Sequence, residues 1–217
     1  MTSRSMFDSP IYLITDRHSV VVSGGLFEAV EQALKGGVRA VQFRELDMDD
    51  MRARVVGTKL KTLCDQYGAV FIVNRRIRLA MELGADGLHF GVDGLRYIPS
   101  LRQSNPDMLI GITCGDQDDI DAAVVAGADF ATLGPVFKTA RKGKTRSFFG
   151  VEDIADIVSR APIPVYSIGG INTFNVSELT ALDVRRLALS HAILDVEDPK
   201  GATMHFMYAL TYRSTEQ

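Results

Sequence analysis

The 217-residue sequence predicts an α/β fold, a single closed (β/α)₈ TIM barrel in which each of eight parallel strands leads into a helix. Three observations carry this. Eight short apolar runs recur along the chain with helix-like segments between them. Most of the runs are continuously apolar rather than alternating, as parallel strands covered on both faces are. Glycines punctuate the passages from helix to strand, at Gly36-Gly37, Gly84 and Gly127, where a left-handed helix end favours them. The length is close to the roughly 250 residues typical of such a barrel. No linker or low-complexity tract interrupts the rhythm, so residues 1–217 read as one domain with loose ends at 1–10 and 212–217.

In order, the predicted strands are Ile11–Thr15, Val38–Phe43, Val70–Asn74, Gly87–Phe90, Met108–Ile112, Phe130–Leu133, Val165–Ile168 and Leu187–Ser190. The segments between them read as amphipathic helices. In Met48–Tyr67, for instance, Met51, Val55, Leu60 and Leu63 fall on one face. The first strand runs into Asp16-Arg17-His18-Ser19 rather than a glycine-rich turn, which removes the dinucleotide-binding fingerprint.

Bulk composition narrows the function classes. A net charge of −3 and a pI near 5.8 give no general basis for binding nucleic acid or an acidic membrane. The two cysteines, Cys64 and Cys114, are far apart and lack metal-type spacing, which suits a reducing compartment and leaves a disulfide open. Met1 to Pro10 is polar, and no apolar run approaches the ~18 residues of a membrane span. A cytoplasmic location is expected.

In a barrel the chain leaves each strand toward its helix at the active face, and here polar and glycine residues gather at those ends. They include Gln42-Phe43-Arg44-Glu45, Asn74-Arg75-Arg76, His89-Phe90-Gly91, Thr113-Cys114-Gly115, Gly169-Gly170 and Leu189-Ser190-His191. Gly-Gly after the seventh strand, beside Ser190 at the end of the eighth, is the place where barrels often hold a phosphate on backbone amides; a plain tight turn is the bland alternative. The stretch Lys138–Arg146 carries five basic residues and no acidic one. It reads either as a lid closing on phosphates or as a solvated loop.

From about Tyr12 to Pro199 these motifs, in this order, resemble the thiamin phosphate synthase and thiazole tautomerase family. The residues that carry the likeness are Gln42-Phe43-Arg44-Glu45, Phe71-Ile72-Val73-Asn74, Gly84-Ala85-Asp86-Gly87-Leu88-His89-Phe90-Gly91, Gly134-Pro135-Val136-Phe137 with Thr139 and Lys142, Ile168-Gly169-Gly170-Ile171, and Ser190. The resemblance implies a barrel that joins hydroxymethylpyrimidine diphosphate to thiazole phosphate. Diphosphate departs with Mg²⁺ help, and the thiazole nitrogen captures the pyrimidine-methyl cation. It places Gln42 and Asn74 on the pyrimidine, and Arg44, Lys142 and Thr139 at the diphosphate. Thr113 falls near the reacting centre, with Gly169, Gly170, Leu189 and Ser190 on the thiazole phosphate. Small phosphorylated substrates are the implied partners, and a homodimer is possible in such a family.

Several positions depart from the family pattern. Leu46 stands where the family usually has lysine, Arg75 where it has a metal-binding carboxylate, and Gly94 where it has a second. Asp93, next to Gly94, is the one candidate to stand in for the lost carboxylate toward Mg²⁺. In one account Arg75 and Arg141 neutralise the diphosphate directly. In another the diphosphate chemistry is gone and a thiazole isomerase remains, but Gly115 occupies the place of that branch's histidine, leaving Cys114 or His191 as candidates for proton transfer. His89 reads as structural, its ring bonded to neighbouring loop backbone. A non-catalytic barrel that binds thiazole phosphate or thiamin phosphate is the third account.

Overall fold

The computed structural model describes residues 9–138 and 150–212. Eight parallel strands close on themselves in sequence order, β1 pairing with β2 and β8. They are β1 Ile11–Ile14, β2 Ala40–Phe43, β3 Val70–Asn74, β4 Gly87–Gly91, β5 Leu109–Cys114, β6 Phe130–Leu133, β7 Val165–Ile168 and β8 Leu187–Leu189. Every predicted strand is present, and no boundary moves by more than two residues. The connecting helices are α1 Gly25–Gly36, α2 Asp50–Gln66, α3 Ile77–Glu82, α4 Ile98–Ser104, α5 Gln117–Ala126, α6 Val151–Arg160, α7 Val176–Ala181, α8 His191–Leu194 and α9 Pro199–Thr211. Gly37, Gly84 and Gly127 adopt positive φ at 119°, 58° and 88° just past their helices, the conformation an L-side chain resists.

The face of α2 differs from expectation. Met51 and Val55 are exposed, whereas Ala53, Gly57, Leu60 and Cys64 are buried. Close approach decides this: a Cβ at Gly57 would lie 2.5 Å from Leu83 Cδ1 and 3.3 Å from Phe43. The small residues let the helix settle on the barrel, and the larger ones are turned to solvent.

Two apolar layers result. A large one lies between strands and helices. A smaller one fills the barrel axis with Tyr12, Ile14, Val70, Ile72, Phe130 and Tyr166. Tyr12 and Phe130 meet edge to face, with ring centroids 5.6 Å apart at 86°, an arrangement worth about 0.5–1.5 kcal/mol beyond burial. The registers Tyr12↔Ala40, Gln42↔Ile72, Asn74↔His89, Gly91↔Thr113 and Thr113↔Thr132 put this same inward set at successive heights. Moving toward the C-terminal rim, the axis changes from aromatic to polar.

Candidate active site

The polar layer is the floor of the rim. Gln42 Nε2 donates to Tyr12 Oη at 2.7 Å, and Asn74 Nδ2 donates to Gln42 Oε1 at 3.2 Å. Tyr12 Oη lies 3.3 Å from His89 Nδ1, and His89 Nε2 lies 2.9 Å from Thr113 Oγ1. Thr132 Oγ1 donates to Thr113 at 3.2 Å. Tyr12, Gln42, His89 and Thr132 are buried, whereas Thr113 is exposed to the rim. Three residues chosen from sequence, Gln42, Asn74 and Thr113, are thus joined through His89 and Tyr12. The His89 ring meets these side chains and not loop backbone, contrary to expectation. Gly111 explains why it can sit there: a Cβ at that position would lie 2.2 Å from Phe130 and 2.7 Å from His89 Nδ1. Burial, and secondarily the Arg44 charge, push the imidazole down to about 3, so the ring is neutral.

Arg44 follows β2, its backbone N–H donating to Thr15 Oγ1 at 2.9 Å. A latch fixes the same segment. Buried Glu45 accepts from the Arg17 backbone N–H at 3.2 Å and from Arg17 Nη1 at 3.0 Å, and Arg17 also grips Asp47 through Nη1 and Nη2 at 2.7 and 2.6 Å. Arg17, helped by His18, holds the Asp47 carboxyl well below the usual carboxylate range. Arg76 adds a bond from below, Nη2 donating to the Met48 carbonyl.

Arg75 has a φ of 61°, a left-handed conformation costing roughly 1–2 kcal/mol for a side chain with a Cβ. Its N–H donates to the His89 carbonyl at 3.0 Å, and its guanidinium forms a bidentate pair with Asp93 at 2.9 and 2.8 Å. Both Asp93 oxygens therefore face Arg75.

On the opposite side, Ile168↔Ala188 pairing brings Gly169-Gly170 and Leu189-Ser190 out of the barrel side by side. Gly169 and Gly170 have φ of 105° and 68°. A Cβ on the first would lie 2.6 Å from Pro135 Cβ, and on the second 2.7 Å from Phe137 Cβ. The loop after β6 leans on them, with Phe137 N–H donating to the Gly169 carbonyl at 3.0 Å. Leu189 is buried, and the Ser190 carbonyl accepts from the Ile193 and Leu194 N–H groups at the end of α8.

Cys114 is buried, and burial pushes its thiol up to about 12, with Asp119 and Asp116 adding to the effect. That keeps it protonated and uncharged. His191 points outward beside Asp16, 4.0 Å away. The Gly115 N–H donates to Asp119 at 2.7 Å. Lys138 is exposed, while Thr139, Arg141 and Lys142 lie outside the described residues.

A family model for thiamine monophosphate synthase matches residues 11–193. The chain belongs to that family. It is 35% identical over 212 residues to a putative thiamine-phosphate synthase of Geobacter sulfurreducens, covering 97% of this chain and 98% of that one. It is 33% identical over 203 residues to a thiamine-phosphate synthase of a Nostoc species, covering 93% of this chain and 56% of the relative, so it spans little more than half of that protein. The solved structure of a thiamine phosphate pyrophosphorylase from Pyrococcus furiosus matches with a TM-score of 0.82 at 29% identity, covering 95% and 96% of the two chains. Among the described residues no helix is long and apolar enough to cross a membrane.

Tyr12 and Thr132 are hard to see from sequence alone, because each places a polar atom inside an otherwise apolar strand run. Their signal was phase. Both belong to the alternate set that includes Gln42, Asn74, His89 and Thr113, the inward set of a barrel.

Proposed function

We propose that this family member joins hydroxymethylpyrimidine diphosphate to thiazole phosphate, with a guanidinium taking the part the family gives to Mg²⁺. The observation behind this reading is the single polar floor that unites Gln42, Asn74 and Thr113, flanked by Arg44 and Arg75. A planar heterocycle laid on that floor would find hydrogen-bonding groups beneath it, and a diphosphate at its edge would find guanidinium donors suited to bidentate contact. The departing diphosphate keeps the bonding electrons, and the thiazole nitrogen supplies the pair that forms the new bond. Gly169-Gly170 with Leu189 and Ser190 would hold the thiazole phosphate, and Arg141, Lys142 and Thr139 would complete the diphosphate contacts.

A divalent cation suits these residues poorly. Mg²⁺ takes oxygen ligands in near-octahedral geometry, yet both oxygens of Asp93 face Arg75. A Cβ at position 94 would stand 2.3 Å from Phe90 Cβ, so that position has no room for a carboxylate without rearrangement. An isomerase has less behind it, since Gly115 has no side chain to move a proton and Cys114 stays protonated. The test is direct: purified protein, both substrates, with Mg²⁺ or with a chelator. Thiamin phosphate formed in the chelator supports the full reading. Product only with Mg²⁺ would leave the synthase and remove the guanidinium substitution, and no product in either buffer would remove both.

A further inference from the structure

The hydrogen-bonded floor has a direction that can be traced from one end. The His89 carbonyl can only accept, so the Asn74 atom 3.4 Å from it is the amide nitrogen. The same nitrogen lies 3.2 Å from Gln42, which must present its oxygen there. Gln42 Nε2 consequently faces Tyr12 and donates to Oη at 2.7 Å. Tyr12 is fully buried, and among the described residues its hydroxyl meets Gln42 and His89 alone. With Gln42 donating to it, its own proton has one acceptor, Nδ1 of His89. A neutral imidazole has one donor and one acceptor, so the His89 proton resides on Nε2 and goes to Thr113 Oγ1 at 2.9 Å. Thr132 is also fully buried and donates to the same oxygen at 3.2 Å. Reversed, that last bond would leave the Thr132 proton with no acceptor among the described residues, an expensive state for a buried hydroxyl. The Thr113 oxygen thus receives two hydrogen bonds, and its own proton is left for the side that opens on the rim.

We infer that this chain fixes Thr113 as a hydrogen-bond donor to the ligand, with His89 and Tyr12 as its positioning residues. The ligand atom seated over Thr113 is therefore an acceptor, a ring nitrogen or an oxygen, and not an amino group. An aminopyrimidine would turn an unprotonated ring nitrogen toward it. The inference rests on the proposed function only in taking the rim as the ligand site; the chain's direction is independent of the reaction. The polarity also has a specificity consequence, because a ligand presenting a donor there would meet a second donor and leave Thr113 unpaired.

Nitrogen-15 NMR of labelled histidine at pH 7 reads the polarity without substrate. His89 should appear as the Nε2–H tautomer in the wild type, and Tyr12→Phe should erode that preference by removing the donor to Nδ1. An Nδ1–H or doubly protonated His89 in the wild type overturns the inference. Function is read by thiamin phosphate formation, kcat and KM separately, and by calorimetric binding of thiamin phosphate. Thr113→Val should lose roughly three- to tenfold, the worth of one neutral hydrogen bond, and Thr113→Ser should restore most of it. Tyr12→Phe should cost activity in the wild-type background and little more in the Thr113→Val background. Fully additive losses would mean that Tyr12 and His89 do not act through Thr113. If the wild type neither makes nor binds thiamin phosphate, the synthase reading falls, while the tautomer still decides the polarity.

Discussion

Acidification should destabilise the fold through one buried ring. His89 sits in the barrel axis, against Tyr12 and Phe130 with centroids 5.7 and 5.5 Å away, and burial holds its pKa at about 3 against an ordinary 6.5. Between those two values the unfolded chain binds a proton that the folded chain refuses. Stability therefore rises with pH across the window. The contribution is fully present above pH 6.5 and is lost as pH falls toward 3. Each pH unit below 6.5 is worth about 1.4 kcal/mol, so pH 5 costs about 2 kcal/mol relative to pH 7. For a domain of this size that is a fall in Tm of roughly 4–8 °C. The assay is urea unfolding of the wild type and His89→Gln at pH 7 and pH 5, at equal ionic strength. Comparing each protein with itself cancels the other titrating groups and the packing cost of the substitution. The wild type should lose about 2 kcal/mol more than the variant between the two pH values. Equal losses would refute a neutral, desolvated His89 and with it the account of the floor.

Three further outcomes follow from particular contacts. Gly111→Ala would drive a methyl group to 2.2 Å from the Phe130 ring, so unfolding should show a loss of about 1–3 kcal/mol, and the His89 tautomer should become mixed. Arg75→Gln removes the guanidinium beside Asp93; calorimetric titration with inorganic diphosphate in chelator should show affinity falling tenfold or more, and unchanged affinity would place the diphosphate elsewhere. Ser190→Asp puts a negative charge in the segment proposed for the thiazole phosphate, and binding of thiazole phosphate should weaken by a similar factor; if it does not, the phosphate sits at another part of the rim.

The sequence by itself determined the barrel and most of its rim. Continuous apolar runs such as Val70–Asn74 and Phe130–Leu133, each preceded by a left-handed glycine, are local signals that need no knowledge of the partner strand. Strand order then placed Gln42, Asn74 and Thr113 at one end. Tertiary structure decided what those side chains do, because the register of eight strands, and the rings of Phe130 and His89 filling the place a side chain at Gly111 would take, fix which atoms meet across the axis. Tyr12, hidden in an apolar run, became the acceptor for Gln42, and His89 became a link between Tyr12 and Thr113. Arg75 and Asp93 are eighteen residues apart and pair only because β3 and β4 are neighbours in the closed sheet. Local propensity specifies that a strand forms, but the partners of a buried polar atom are set by chain segments far away in sequence.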